Sequence, residues 1–154
     1  MKRRFLYLEA NDGTQDGSIM FRTVRHLLEA QLKKAEMVME EFTDPQEALA
    51  TVLANPEDAW LILTCYDVKE DVHAMSLIRG VRERKAPSIN AYIVLFSGFE
   101  PVSVETAESL GANKSVFKHE SLPIPLDREF HRFINFVIQL RRNSRTDFSP
   151  PTER

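Results

Sequence analysis

Short apolar runs alternate along the chain with longer stretches in which apolar residues recur every third or fourth position. Runs of the first kind read as buried strands and stretches of the second kind as amphipathic helices. The predicted strands are Phe5–Leu8, Met37–Met39, Trp60–Leu63, Tyr92–Phe96 and Ser115–Phe117. Between them lie helical stripes: Met20, Val24, Leu27, Leu28 and Leu32; then Ala48, Leu49 and Val52; then Ala74, Leu77, Ile78 and Val81. A short helix in "SVETAESLGA" stops at Gly111, and a long one in "DREFHRFINFVIQLRR" turns Phe130, Phe133, Ile134 and Val137 inward. In "TDPQEALATVLANP", Asp44 is an N-cap, Pro45 holds the first helical position, Glu47 completes a capping box, and Asn55-Pro56 ends the helix.

Strand alternating with helix in this way predicts an α/β fold, a doubly wound five-stranded parallel sheet covered on both faces. One domain over 1–142 accounts for the pattern, and the polar, Pro-rich "NSRTDFSPPTER" at 143–154 reads as a disordered C-terminal tail. The 154 residues suffice for a real core, and 43% hydrophobic with 28% charged residues is ordinary for a globular protein. A net charge of −3 argues against a broad nucleic-acid footprint. The single cysteine, Cys65, excludes an internal disulfide framework and fits a reducing, cytoplasmic setting. The apolar run in "MKRRFLYLEAND" is too short for a signal-peptide core, and no stretch approaches membrane-spanning length.

In an open parallel sheet the ligand lies beyond the carboxyl ends of the strands. The residues delivered there are Glu9 to Asp12, Thr64 to Asp67, Ser97 and Gly98, and Lys118 and His119. Carboxylates, hydroxyls and a lysine converging on one edge suggest a phosphoryl group with a hard cation. Cys65 has no histidine at activating spacing and reads as packing; His26, His73, His119 and His131 form no metal-ligand spacing.

At these residues the chain resembles the receiver domain of two-component response regulators, over about Arg4 to Arg142. "IVLFSG" is similar to the family's fourth strand, which puts Ser97 on its Ser/Thr, and "GANKSVFK" to its Gly-Ala-x-x-x-apolar-apolar-Lys, which puts Lys118 on its lysine. "LEAND" resembles the Glu-Asp-Asn variant of the acidic pair, with Glu9 in first place and Ala10 where the second acid stands. The resemblance implies a flavodoxin-like (βα)5 receiver fold, a cytoplasmic signalling role in a phosphorelay, no enzymatic activity of its own, and the fourth helix, fifth strand and fifth helix as the contact surface. Val104, Ser115, Phe130 and Phe136 are the candidates on that surface, since three phenylalanines of the last helix cannot share one narrow stripe.

The departures matter as much. Aligning "DAWLILT" with the family's third strand puts Thr64 where the phospho-accepting aspartate stands, and a threonine forms no acyl phosphate. His119 replaces the proline that usually follows the lysine, and Ser115 stands where receivers often carry an aromatic switch. The chain therefore reads as a pseudo-receiver without a required cofactor, in which Glu9 with Asp12 binds Mg²⁺ weakly and Lys118 pairs with Glu9. Its expected partner is another signalling protein, a histidine kinase or a downstream effector, or a second copy in a homodimer; nucleic acid and membrane are not expected. The alternatives are a phosphorylatable single-domain response regulator using a displaced Asp67, or Asp71, and a flavin-binding protein of the same fold. The last is disfavoured because Glu9, Asp12 and Asp16 in "EANDGTQDGS" would repel a phosphate.

Overall fold

The computed structural model describes residues 3–9, 16–66, 72–84, 89, 91–97, 101–117 and 124–142. Strands and helices alternate: β1 (Arg3–Leu8), α1 (Asp16–Lys34), β2 (Met37–Phe42), α2 (Pro45–Ala54), β3 (Ala59–Tyr66), α3 (Val72–Arg82), β4 (Tyr92–Ser97), α4 (Val104–Ser109), β5 (Lys114–Phe117) and α5 (Ile124–Arg142). The strands form a 5-stranded sheet in the order β2-β1-β3-β4-β5, every pair parallel. The direction of winding reverses between β1 and β3, which makes the carboxyl ends of those strands the crevice of the fold. The tail at 143–154 lies outside the described residues.

The strand interiors explain the apolar runs. Every residue of β3 and β4 is buried, because both strands have sheet neighbours on each side and helices above and below. Side chains alternate between the two faces. Phe5, Tyr7, Leu61, Leu63, Val94 and Phe96 meet α1 and α5 on one face; Leu6, Leu8, Ile62, Ile93 and Leu95 meet α2, α3 and α4 on the other. The first core is aromatic: the Phe5 and Phe130 rings stack at 5.4 Å, and Phe133 meets Phe130 edge-on at 5.3 Å. The second is aliphatic and admits a closer helix approach. A methyl group at Gly80 of α3 would collide with Leu49 of α2.

Several strands run past their predicted ends. β3 continues through Thr64, Cys65 and Tyr66, and β4 takes in Ser97. The ladder between them explains it: Thr64 lies opposite Leu95 and Tyr66 opposite Ser97, so the polar residues still have backbone partners. Thr and Tyr also suit a pleated surface. Asp44 does cap α2, but its carboxylate accepts from Gln46 N at 2.9 Å, one residue earlier than a capping box requires, and exposed Glu47 makes no return bond.

The amino edge of the sheet is tied by Arg82, at the end of α3. Its guanidinium donates to the carbonyls of Gly111 and Ala91, each at 2.8 Å, and to Asn113 Oδ1 at 2.9 Å. Asn113 Oδ1 also accepts from Ile93 N at 2.9 Å, so one asparagine joins β4, β5 and the guanidinium. Gly111 has φ of 100°, which lets the chain turn from α4 into β5 at no steric cost. At the start of β1, the Arg3 guanidinium lies 4.9 Å from the centre of the Trp60 ring and donates to Ala35 O at 2.7 Å.

Candidate functional site at the carboxyl edge

The register brings Glu9, Thr64 and Ser97 to the carboxyl edge, as the sequence predicts. Leu8 lies opposite Thr64 and Thr64 opposite Leu95, so Glu9 sits one residue beyond the Thr64 rung and Ser97 two residues beyond Leu95. Glu9 still belongs to the sheet through its N–H, which donates to Phe42 O at 3.0 Å. Ser97 and Thr64 project from the face covered by α2, α3 and α4.

Thr64 is 0% exposed and Ser97 1%. The Thr64 hydroxyl donates to the carbonyl of Cys65 at 3.2 Å. It thus lies inside the strand rather than just past its end, the position expected from the apolar run. Ser97 Oγ is buried and has no hydrogen-bond partner among the described residues. Lys118, Asp12 and Asp67 lie outside the described residues, as do Ala10, Asp71 and His119.

Glu9 is 5% exposed, and its carboxylate is held by a residue that the sequence pattern gave no role beyond the core. The Tyr7 hydroxyl donates to Glu9 Oε2 at 2.6 Å. Spacing of two residues on a strand puts both side chains on one face, the signal by which this pair was legible. Tyr7 is fully buried against Phe21 and Phe96, with ring centroids at 5.0 and 6.2 Å. Burial, with the charge of Glu9 and the hydrogen bond to it, pushes the Tyr7 phenol far above its ordinary range. The phenol therefore stays protonated and remains a donor. Cys65 stands on the same face of the sheet and is buried.

What this edge can do chemically follows from the partners. The buried Thr64 hydroxyl is bonded to a backbone carbonyl, has no solvent access and meets no activating base among the described residues. Hard divalent cations take several oxygen ligands. Of the described edge residues only Glu9 supplies a carboxylate, and it is already bonded to Tyr7; no group of three His, Cys, Asp or Glu among the described residues is placed to hold a metal ion. Among the described residues, Glu9 is thus the one carboxylate this edge could offer a hard cation.

The expected contact surface divides. Val104 is 37% exposed and Phe136 51%, but Phe130 is 0% exposed. Phe130 belongs to the core because its ring stacks on Phe5, so it cannot be a contact residue in the folded chain. Ser115 is half-buried and its hydroxyl donates to Val102 O. Phe136 keeps one edge against Tyr92, with ring centroids at 5.8 Å. Tyr92 is pushed up to about 12 by burial and then by the charge of Glu129.

No family model matches the sequence, and no curated protein matches it. Solved structures do. A response regulator receiver domain protein from Clostridium thermocellum is 16% identical, with a TM-score of 0.61 over 92% of this chain and 98% of its own. A response regulator from Hahella chejuensis is 19% identical, with a TM-score of 0.62 over 90% and 97%. A two-component response regulator from Legionella pneumophila is 17% identical, with a TM-score of 0.58 over 90% and 98%. The fold is the five-stranded parallel receiver fold, spanning nearly the whole of this chain and of each of those proteins.

Proposed function

We propose that this chain is a receiver-type signalling module that acts by docking on another protein, without aspartyl phosphorylation and without catalysis of its own. One observation carries the reading. Thr64, which the alignment of "DAWLILT" sets at the acceptor position of the receiver family, has a fully buried hydroxyl turned to a backbone carbonyl. The depleted acidic pair, Glu9 followed by Ala10, supports weak Mg²⁺ binding, since the carboxylate that remains already accepts from Tyr7. The exposed Phe136 and Val104 support a contact surface along α4, β5 and α5 for a histidine kinase, an effector or a second copy.

Incubation with acetyl phosphate and Mg²⁺ followed by intact-mass spectrometry tests this. No mass gain is expected. A gain of one phosphoryl group that disappears in Asp67→Asn overturns the reading and makes the chain a working response regulator with a displaced acceptor.

A further inference from the structure

The two helical layers carry opposite charge. Among the described residues on the side of α1 and α5, Arg22, Arg25, Lys33, Lys34, Arg128 and Arg132 are exposed, against the carboxylates of Glu29 and Glu129 on the helices, Glu36 just beyond α1 and Glu41 of β2. Arg25 pairs with Glu41 at 3.2 Å and Arg132 with Glu129 at 3.6 Å, while Arg22, Lys33, Lys34 and Arg128 have no ion pair among the described residues. Lys33 and Lys34 stand in the last turn of α1, where they offset its free carbonyls. Arg22 and Arg128 lie in the first halves of their helices, where the dipole gives them no such benefit. On the opposite layer, exposed Glu47, Glu83 and Glu105 face solvent beside exposed Arg79; Arg82 is turned inward to carbonyls and Arg84 donates to Leu53 O at 3.1 Å. Among the described residues, the α1–α5 layer is thus mainly basic and the α2–α4 layer mainly acidic.

We infer that the basic α1–α5 layer is a docking face for the acidic α2–α4 layer of a second copy. The argument is charge complementarity between two faces of one chain. The back-to-back arrangement would set Arg22 and Arg128 against their own kind, so the contact is head-to-tail rather than two-fold. A long polyanion is the poorer partner: the chain has net charge −3, and any polymer reaching past the basic layer meets the acidic one. The inference uses neither Thr64 nor Phe136 and stands independently of the proposed function.

Sedimentation velocity at several hundred micromolar protein, in 10 mM and 150 mM salt, reads it directly. Screening lengths of about 30 and 8 Å at those ionic strengths make the contact strong in the first and weak in the second. Wild type is expected to show an average mass that grows with concentration at 10 mM salt and returns to monomer at 150 mM. Two neutralised variants sharpen the test: Arg22→Gln with Arg128→Gln, and Glu47→Gln with Glu83→Gln and Glu105→Gln. Each alone should associate at least ten-fold more weakly, with unchanged circular dichroism. Mixed, each supplies the face that the other lacks, so a one-to-one dimer that grows no further is expected. A wild type that stays monomeric at 10 mM salt overturns the inference, as does association indifferent to the arginine changes or a mixture that stays monomeric. Monomeric wild type that instead binds a 20-nucleotide DNA or phosphatidylserine vesicles through Arg22 and Arg128 would assign the face to another partner and overturn it equally.

Discussion

Arg82 and Asn113 at the amino edge of the sheet leave little unmatched: the guanidinium donates to Gly111 O, Ile89 O, Ala91 O and Asn113 Oδ1, and the same amide oxygen also receives Ile93 N–H. At the carboxyl edge the accounts differ. Ser97 Oγ is buried without a partner among the described residues, and Thr64 has a single long bond to the carbonyl beside it. Buried polar groups usually find partners, and those that do not are candidates for function or a missing ligand. The contrast teaches a division of labour along the strand axis: one end holds the fold together, and the other keeps polar groups whose presence folding does not explain.

The largest effect should come from introducing an acid at the contrasted strand position. Thr64→Asp would place a carboxylate in a site that is 0% exposed and should cost about 3 kcal/mol or more in urea denaturation. An unchanged midpoint would mean that the site opens to water and would break the comparison. Next, Arg82→Ala should cost about 3 kcal/mol, because the acceptors it serves lose a charged donor. Arg82→Lys should recover less than half of that, since one ammonium cannot span the carbonyls and the amide. A loss below about 1 kcal/mol for Arg82→Ala would remove the amino edge's claim to be the structural one.

Tyr7→Phe should cost about 1–3 kcal/mol, as it leaves the buried Glu9 carboxylate one donor short. The tyrosines also set an alkaline limit. Burial pushes the Tyr92 phenol up to about 12 in the folded chain, above its ordinary 10.0, and the Tyr7 phenol is raised further. Above pH 10 the unfolded chain releases phenolic protons that the folded chain retains, so stability is full below pH 10 and falls as pH rises towards 12. Urea midpoints at pH 9 and 11 should differ in that sense, and by less in Tyr92→Phe. The smallest effect belongs to Ser97→Ala, within about 0.5 kcal/mol of wild type, because no described partner is lost. A drop of more than 1 kcal/mol would reveal a structural duty for Ser97 and close the gap between the two edges.

The sequence carried the fold well because parallel strands buried on both faces are nearly pure apolar runs, as Leu61 to Leu63 and Ile93 to Phe96 are. It carried the strand ends poorly for the same reason. Thr64 and Ser97 look like exits from the sheet, yet neighbouring backbone keeps the ladder going through Tyr66 and Ser97. Helical spacing identified Phe130, Phe133, Ile134 and Val137 as core, and the structure buries all four; naming Phe130 beside Phe136 on the contact surface went against that spacing, and only Phe136 falls outside. Tyr7 was missed because a tyrosine in an apolar strand reads as bulk, and only the i, i+2 relation to Glu9 betrays its hydroxyl. The guanidinium of Arg82 was invisible because its acceptors are mainly backbone carbonyls from distant segments, which no side-chain pattern encodes.

The place of Trp60 has a practical consequence. It is the sole tryptophan and sits at the start of β3, beneath Arg3, about four strand residues or roughly 13 Å from Thr64. Its emission therefore reports the end of the sheet that Arg3 covers. Intrinsic fluorescence will follow unfolding faithfully and stay nearly silent to an ion or phosphate arriving at Glu9 and Ser97. A quenching or blue shift on adding such a ligand would have to travel the length of the strand, so it would signal rearrangement of the sheet rather than simple occupancy.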